Sequence, residues 1–124
     1  MKSLNVVIAI ITDNKDNLLF QHRKKAPYQN YLGLVGGKVE EQESLETAII
    51  REVKEETFLN VSKVTYLGKI TETLINHNDS VVVFLHVFVT KSKGQLLASS
   101  EEGDLFWIEK DNFIKEKAKL RLKY

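Results

Sequence analysis

The stretch Gly36-Gly37-Lys38-Val39-Glu40-Glu41-Gln42-Glu43, followed by Ser44 to Ile50 and then Arg51-Glu52-Val53-Lys54-Glu55-Glu56, joins a glycine pair to the most helix-prone part of the chain. From Val39 to Leu59 the residues are dense in Glu, Leu, Ala, Lys and Arg at helical spacing, which predicts one long helix beginning near Ser44. At about 100° per residue, Glu52, Glu55 and Glu56 fall in one sector, because positions three and four apart are neighbours on a helix. Leu45, Ala48 and Ile49 project into the same sector, so the acids continue the apolar stripe. Solvent-facing acids belong opposite that stripe, and carboxylates on a core-facing surface are costly unless paired or coordinated.

A cation removes the repulsion among three crowded carboxylates. Oxygen donors with no sulfur or histidine partner suit a hard ion, and Mg2+ commonly takes one or two carboxylates while keeping waters and substrate phosphates. Phosphoryl chemistry is the natural use of such a set. The competing reading is a solvated Glu-rich and Lys-rich helix face. Gly36-Gly37 lets the backbone come close to a ligand, a weak signal alone and a stronger one beside the acids.

Upstream of that stretch, Val6 to Ile11 is a β-branched run, Asp13 to Asn17 is rich in turn formers, and Leu18 to Arg23 reads as a second strand. Between Lys24 and Gly37 lie the only proline, two tyrosines and three glycines, which predicts a long functional loop. Downstream, Val64 to Ile75 and Val81 to Val89 read as a hairpin across Asn76 to Ser80. Lys91 to Gly103 reads as a polar loop, Leu105 to Ile108 as a short strand and Lys110 to Leu122 as a basic terminal helix. Strands on both sides of one central helix predict a mixed α/β (α+β) sheet domain, and the 124 residues are expected to form a single unit, 1–124.

With 18 basic and 17 acidic side chains the net charge is +1, so no global field attracts nucleic acid or anionic lipid. The absence of cysteine excludes disulfides, thiolate metal sites and a cysteine nucleophile. Leu4 to Ile11 contains Asn5 and is far short of the ~20 residues that span a bilayer. It also lacks the marks of an exported protein, so a cytoplasmic location is expected. His22 and His86 lie within strands and His77 in a turn, which predicts packing or surface roles for all three.

Gly37, five residues, Glu43, seven residues, then Arg51-Glu52-Val53-Lys54-Glu55-Glu56 resembles the Nudix box in every fixed position but one. The departure is Phe58, where the box has a glycine that would end the helix in a left-handed conformation; Asn60 is the expected substitute. The resemblance implies a Nudix fold, an α/β/α sandwich with the box as loop, helix and loop. It further implies hydrolysis of a phosphoanhydride bond in a nucleoside diphosphate derivative, most simply a nucleoside triphosphate, with an oxidised one resembling 8-oxo-dGTP as a candidate, cut to a monophosphate and pyrophosphate. Mg2+ is the implied cofactor, with Mn2+ as a substitute.

Carried onto this chain, the resemblance makes Glu52 and Glu56 the leading metal ligands, joined by Glu55, the Gly37 carbonyl and a late acid, Glu102 with Glu101 in reserve. Arg51 and Glu43 would hold the acids in place. Arg23 and Lys38 would meet phosphates, with Gly36 close by, and Leu34, Tyr28, Tyr31 and Phe84 are the candidates to contact the base. The implied partner is a small nucleotide, with no nucleic acid or membrane, and the protein a monomer or homodimer. An ADP-ribose pyrophosphatase and a non-catalytic nucleotide sensor remain as alternatives. The first is disfavoured by Leu74 and Ile75 standing where such enzymes carry a proline, the second by retention of all the box acids.

Overall fold

The computed structural model describes residues 2–25, 29–61, 63–76, 78–97 and 102–112. Within these, the order of elements is β1 (Lys2–Thr12), β2 (Leu18–Arg23), β3 (Leu32–Gly33), β4 (Val35–Lys38), α1 (Leu45–Thr57), β5 (Val64–Asn76), β6 (Asp79–Lys91) and β7 (Gly103–Ile108). Strand β1 is the centre. It runs parallel to β6 from Lys2 to Thr12 and antiparallel to β4 from Val6 to Ala9. Strand β5 continues the sheet beyond β6 as its antiparallel hairpin partner. A second group, β3-β2-β7, is fully antiparallel and joins the first through one residue pair, Thr12 with Leu18.

A strand covered on both faces reads as an unbroken apolar run instead of an alternating one, and β1 shows why. Val7, Ala9 and Ile11 pack with Ala48, Ile49 and Val53 of α1 and with Phe88, while Ile8 joins Val83 and Leu85 in a second cluster flanked by Leu4, Val6 and Leu34. The first cluster is the core beneath the helix; the second forms the floor of a cleft.

Ser44 caps α1, its hydroxyl accepting the Thr47 N–H at 3.1 Å. The other end departs from expectation. Phe58 itself takes the left-handed conformation, with φ 64°, and its N–H bonds to the Lys54 carbonyl. Asn60 does not replace it; its side chain receives Lys54 Nζ and its backbone pairs with Lys93. The turn is held by buried Thr57, whose hydroxyl donates to the Val53 carbonyl and accepts the Leu59 N–H.

The segment expected to be all loop contains β3 and β4. Glycine disguised β4: a Cβ on Gly36 would lie 2.0 Å from the Val7 carbonyl oxygen, so only glycine lets this strand pair so closely with β1. Helical structure begins at 110–112, and the remainder of the expected terminal helix lies outside the described residues, as do His77 and Glu101.

Candidate active site

One face of α1, the strand β4, the end of β2 and the start of β7 converge on a cleft of about 1060 Å³. Its walls include Arg23, Leu34, Gly36, Gly37, Lys38, Glu52, Glu55, Glu56 and Glu102. Helical spacing does not make the three helix acids equivalent. The Glu52 side chain is 12% exposed and that of Glu55 59% exposed, so Glu52 faces inward while Glu55 stands at the mouth. Glu56 is half-buried.

Arg51 organises the inner side. Its Nε and Nη2 donate to the two oxygens of Glu43 at 2.7 and 2.9 Å, a bidentate fork, and Nη2 also reaches the Lys38 carbonyl at 3.1 Å. Nη1 donates to Glu52 at 2.9 Å and Glu55 at 3.3 Å. Glu43 accepts the Glu40 N–H as well. Hydrogen bonds from Arg51 hold the Glu43 carboxyl down at about 2, and those from Glu43 push the Arg51 guanidinium upward in turn.

Glu56 is held from the other group of strands: buried Gln21 on β2 donates to it at 3.0 Å. Desolvation raises the Glu56 carboxyl to about 7, with Glu102 and Glu52 adding repulsion and with Gln21 and Arg23 opposing. Glu52 is also raised, chiefly by burial and against the pull of Arg51. Arg23 lies with Nη2 3.8 Å from Glu102, and its buried Nε has no hydrogen-bond partner among the described residues. Lys25 reaches the other Glu102 oxygen at 3.7 Å.

Among the described residues no three acids or histidines are already gathered as a ligand set. As they stand, Glu52 is engaged by Arg51 and Glu56 by Gln21. The donors nevertheless suit a hard divalent cation. They are all oxygens, and burial first, then like-charged neighbours, raise the proton affinity of Glu56, a conflict that bound positive charge relieves. A Cβ on Gly37 would fall 2.5 Å from the Glu52 carboxylate, so this close approach of backbone to acid requires glycine.

Two of the candidate base contacts do not join this group. Strand parity turns Phe84 away: Val83 and Leu85 on either side line the cleft, so Phe84 faces the opposite side of the sheet, where Lys69 Nζ sits 4.8 Å from its ring. Tyr31 is not on the walls, and Tyr28 lies outside the described residues. His86 is a packing residue, bonded at its two nitrogens to Tyr66 Oη and Asn5 Oδ1. Sequence reasoning missed Leu4, Val6, Ile8, Val83 and Leu85, which line the floor. The period-two spacing of Leu4, Val6 and Ile8 was available, but nothing in it said which face of β1 the helix covers. Gln21, a buried amide in an apolar strand, was missed as well.

An acid-rich helix facing a glycine strand across a cleft, with an arginine on the opposite wall, defines a site for phosphoanhydride chemistry. The chain belongs to the NUDIX family: the family model described as NUDIX domain matches residues 1–123, and the chain is a MutT-like Nudix pyrophosphohydrolase. An 8-oxo-dGTP diphosphatase of Proteus vulgaris is 28% identical over 99 residues, 77% of this chain and 83% of that protein. The crystal structure of a mutator MutT protein from Bacillus halodurans superposes with a TM-score of 0.77 at 26% identity, covering 96% of this chain and 74% of that one. The NUDIX domain of Shewanella oneidensis NrtR, solved with ADP ribose, shares the fold at a TM-score of 0.74 and 18% identity, over 100% of this chain and 81% of that one. Nudix hydrolases generally use divalent metal ions. No helix among the described residues is long and apolar enough to cross a membrane.

Proposed function

We propose that this enzyme hydrolyses a nucleoside triphosphate to the monophosphate and pyrophosphate with Mg2+, for which Mn2+ can substitute. The observation that carries the reading is the continuity of the cleft: the acids and Arg23 at one end open directly onto the apolar floor of Leu4, Val6, Ile8, Val83 and Leu85. A charged polyphosphate and an apolar-faced base fit those two ends in that order.

Glu52, Glu56, the Gly37 carbonyl and Glu102 would hold the ion, which supplies charge neutralisation on phosphate oxygens and a more acidic water. Glu55, at the mouth, is placed to accept a proton from the attacking water or to add a ligand. Arg23 offers a phosphate oxygen its Nε, which has no hydrogen-bond partner among the described residues, and Lys38 adds positive charge on the same wall. Arg51 and Glu43 fix the orientation of Glu52 and of the backbone at Lys38. The enzyme acts in the cytoplasm as a monomer or homodimer on a small nucleotide.

A magnesium-dependent screen for phosphate and pyrophosphate release over nucleoside triphosphates and ADP-ribose tests this reading. Pyrophosphate release from a triphosphate, abolished in Glu56→Gln with the fold retained, is the expected outcome. Turnover of ADP-ribose alone, or ligand-induced stabilisation with no turnover of any compound, would replace it with the nucleotide-sugar or sensor reading.

A further inference from the structure

Gln21 is an amide in a place that otherwise suits an apolar side chain. On β2, Leu19, Gln21 and Arg23 share one face by strand parity. That face runs from the core to the cleft: Leu19 packs in the cluster beneath α1, and Arg23 lines the cleft wall. Gln21, between them, is 1% exposed. A buried amide is unfavourable unless it is hydrogen-bonded, and this one donates from Nε2 to Glu56 Oε2 at 3.0 Å. The stem of the side chain is held as well. Gly103 of β7, paired with Arg23, comes so near that a Cβ there would lie 3.0 Å from Gln21 Cγ.

The two partners stand on different parts of the fold. Glu56 belongs to α1, which packs on β1, whereas Gln21 belongs to the group of strands that meets β1 through one residue pair. Their bond therefore ties the helix to that second group at the edge of the cleft. Its chemistry also differs from that of Arg51 with Glu52. A guanidinium neutralises the carboxylate it orients and competes with a cation for it, while a neutral amide fixes one oxygen and leaves the negative charge in place.

We infer that Gln21 is a positioning residue for the divalent ion, its amide pinning one oxygen of Glu56 so that the carboxylate is already aimed when the metal arrives; the inference rests on the placement of the ion proposed above. A ligand that must be ordered as the ion binds loses side-chain freedom at that moment, and the affinity falls accordingly. A ligand held beforehand from a rigid strand does not. The same bond makes the second group of strands, which carries Arg23 and Glu102, a participant in metal binding through Glu56.

The test is Mn2+ binding to the nucleotide-free protein, followed by loss of the free ion's paramagnetic resonance signal, for the wild type, Gln21→Met, Gln21→Leu and Glu56→Gln. Met keeps the length of the side chain and removes the donor; Leu removes it with a different shape, which exposes a packing defect peculiar to one variant. Each Gln21 variant is expected to weaken Mn2+ binding by about 10- to 100-fold. The Mg2+ concentration for half-maximal hydrolysis should rise by the same factor, with the nucleotide KM at saturating Mg2+ held within about twofold. Wild-type metal affinity in a folded Gln21 variant, a matching rise in that KM, or loss of folding in both variants would reveal a merely structural amide and overturns the inference. Weakened binding in Glu56→Gln leaves the metal site standing in each of those cases. If Glu56→Gln binds Mn2+ as tightly as the wild type, the metal assignment and the inference fall together.

Discussion

Alanine at each of the two adjacent glycines of β4 should have opposite consequences. At Gly36 the new Cβ would lie 2.0 Å from the Val7 carbonyl oxygen and 2.8 Å from Ile8 Cα, both backbone atoms of the central strand. Nothing flexible can yield, so β4 must part from β1. Overpacking of this kind costs about 1–3 kcal/mol, and each ladder bond lost adds roughly 1 kcal/mol. At roughly 4 °C per kcal/mol for a chain of this length, Gly36→Ala should lower the melting midpoint by about 5–10 °C or more.

At Gly37 the obstacle is the Glu52 carboxylate, at 2.5–2.6 Å, and that end of a side chain can swing away. Stability should change by no more than about 0.5 kcal/mol. The carboxylate must retreat by about 1 Å, and a misplacement of that size at a reacting centre costs on the order of 100-fold in rate. Thermal melts and magnesium-dependent nucleotide hydrolysis, run on both variants, separate the effects. A Gly37→Ala enzyme with full activity would refute the placement of Glu52 at the site, and equal destabilisation of the two variants would refute the distinction between a backbone and a side-chain obstacle.

Two further outcomes are expected. Phe58→Gly should be more stable than Phe58→Ala by about 1 kcal/mol, because both remove the ring under Lys54 but only glycine relieves the left-handed backbone at φ 64°; equal denaturation midpoints would contradict the strain. In metal-free protein, Glu56 binds a proton more tightly when folded, at about 7 against 4.5, so its contribution to stability is full below pH 4.5 and is lost as pH rises through about 7. Melting midpoints across that window should therefore decline more steeply in the wild type than in Glu56→Gln, and parallel curves would argue against burial of this carboxylate.

The helix was legible because two patterns agreed, its helix-prone composition and the apolar stripe at helical spacing, and its acids were legible because spacing alone puts them on one face. The long strands β5 and β6 announced themselves by β-branched and aromatic runs. Strand β4 did not, since Val35-Gly36-Gly37-Lys38 looks like a turn until the closeness of Val7 explains the glycines. The apolar floor of the cleft was obscure for a different reason. Period two tells which residues of β6 share a face, but which face meets the cleft depends on the packing of α1 on β1, a long-range fact. The same limit let Phe84 pass for a cleft residue.

The one-pair junction of β1 with β2, Thr12 against Leu18, has a mechanical consequence. Arg23 and Glu102 belong to the lesser ribbon and the floor to the greater one, so spreading the two jaws breaks side-chain contacts and hardly any ladder. Aperture is thus the most compliant dimension of the site, whereas the spacing between Gly36 and Val7, set by backbone atoms on both sides, is the stiffest.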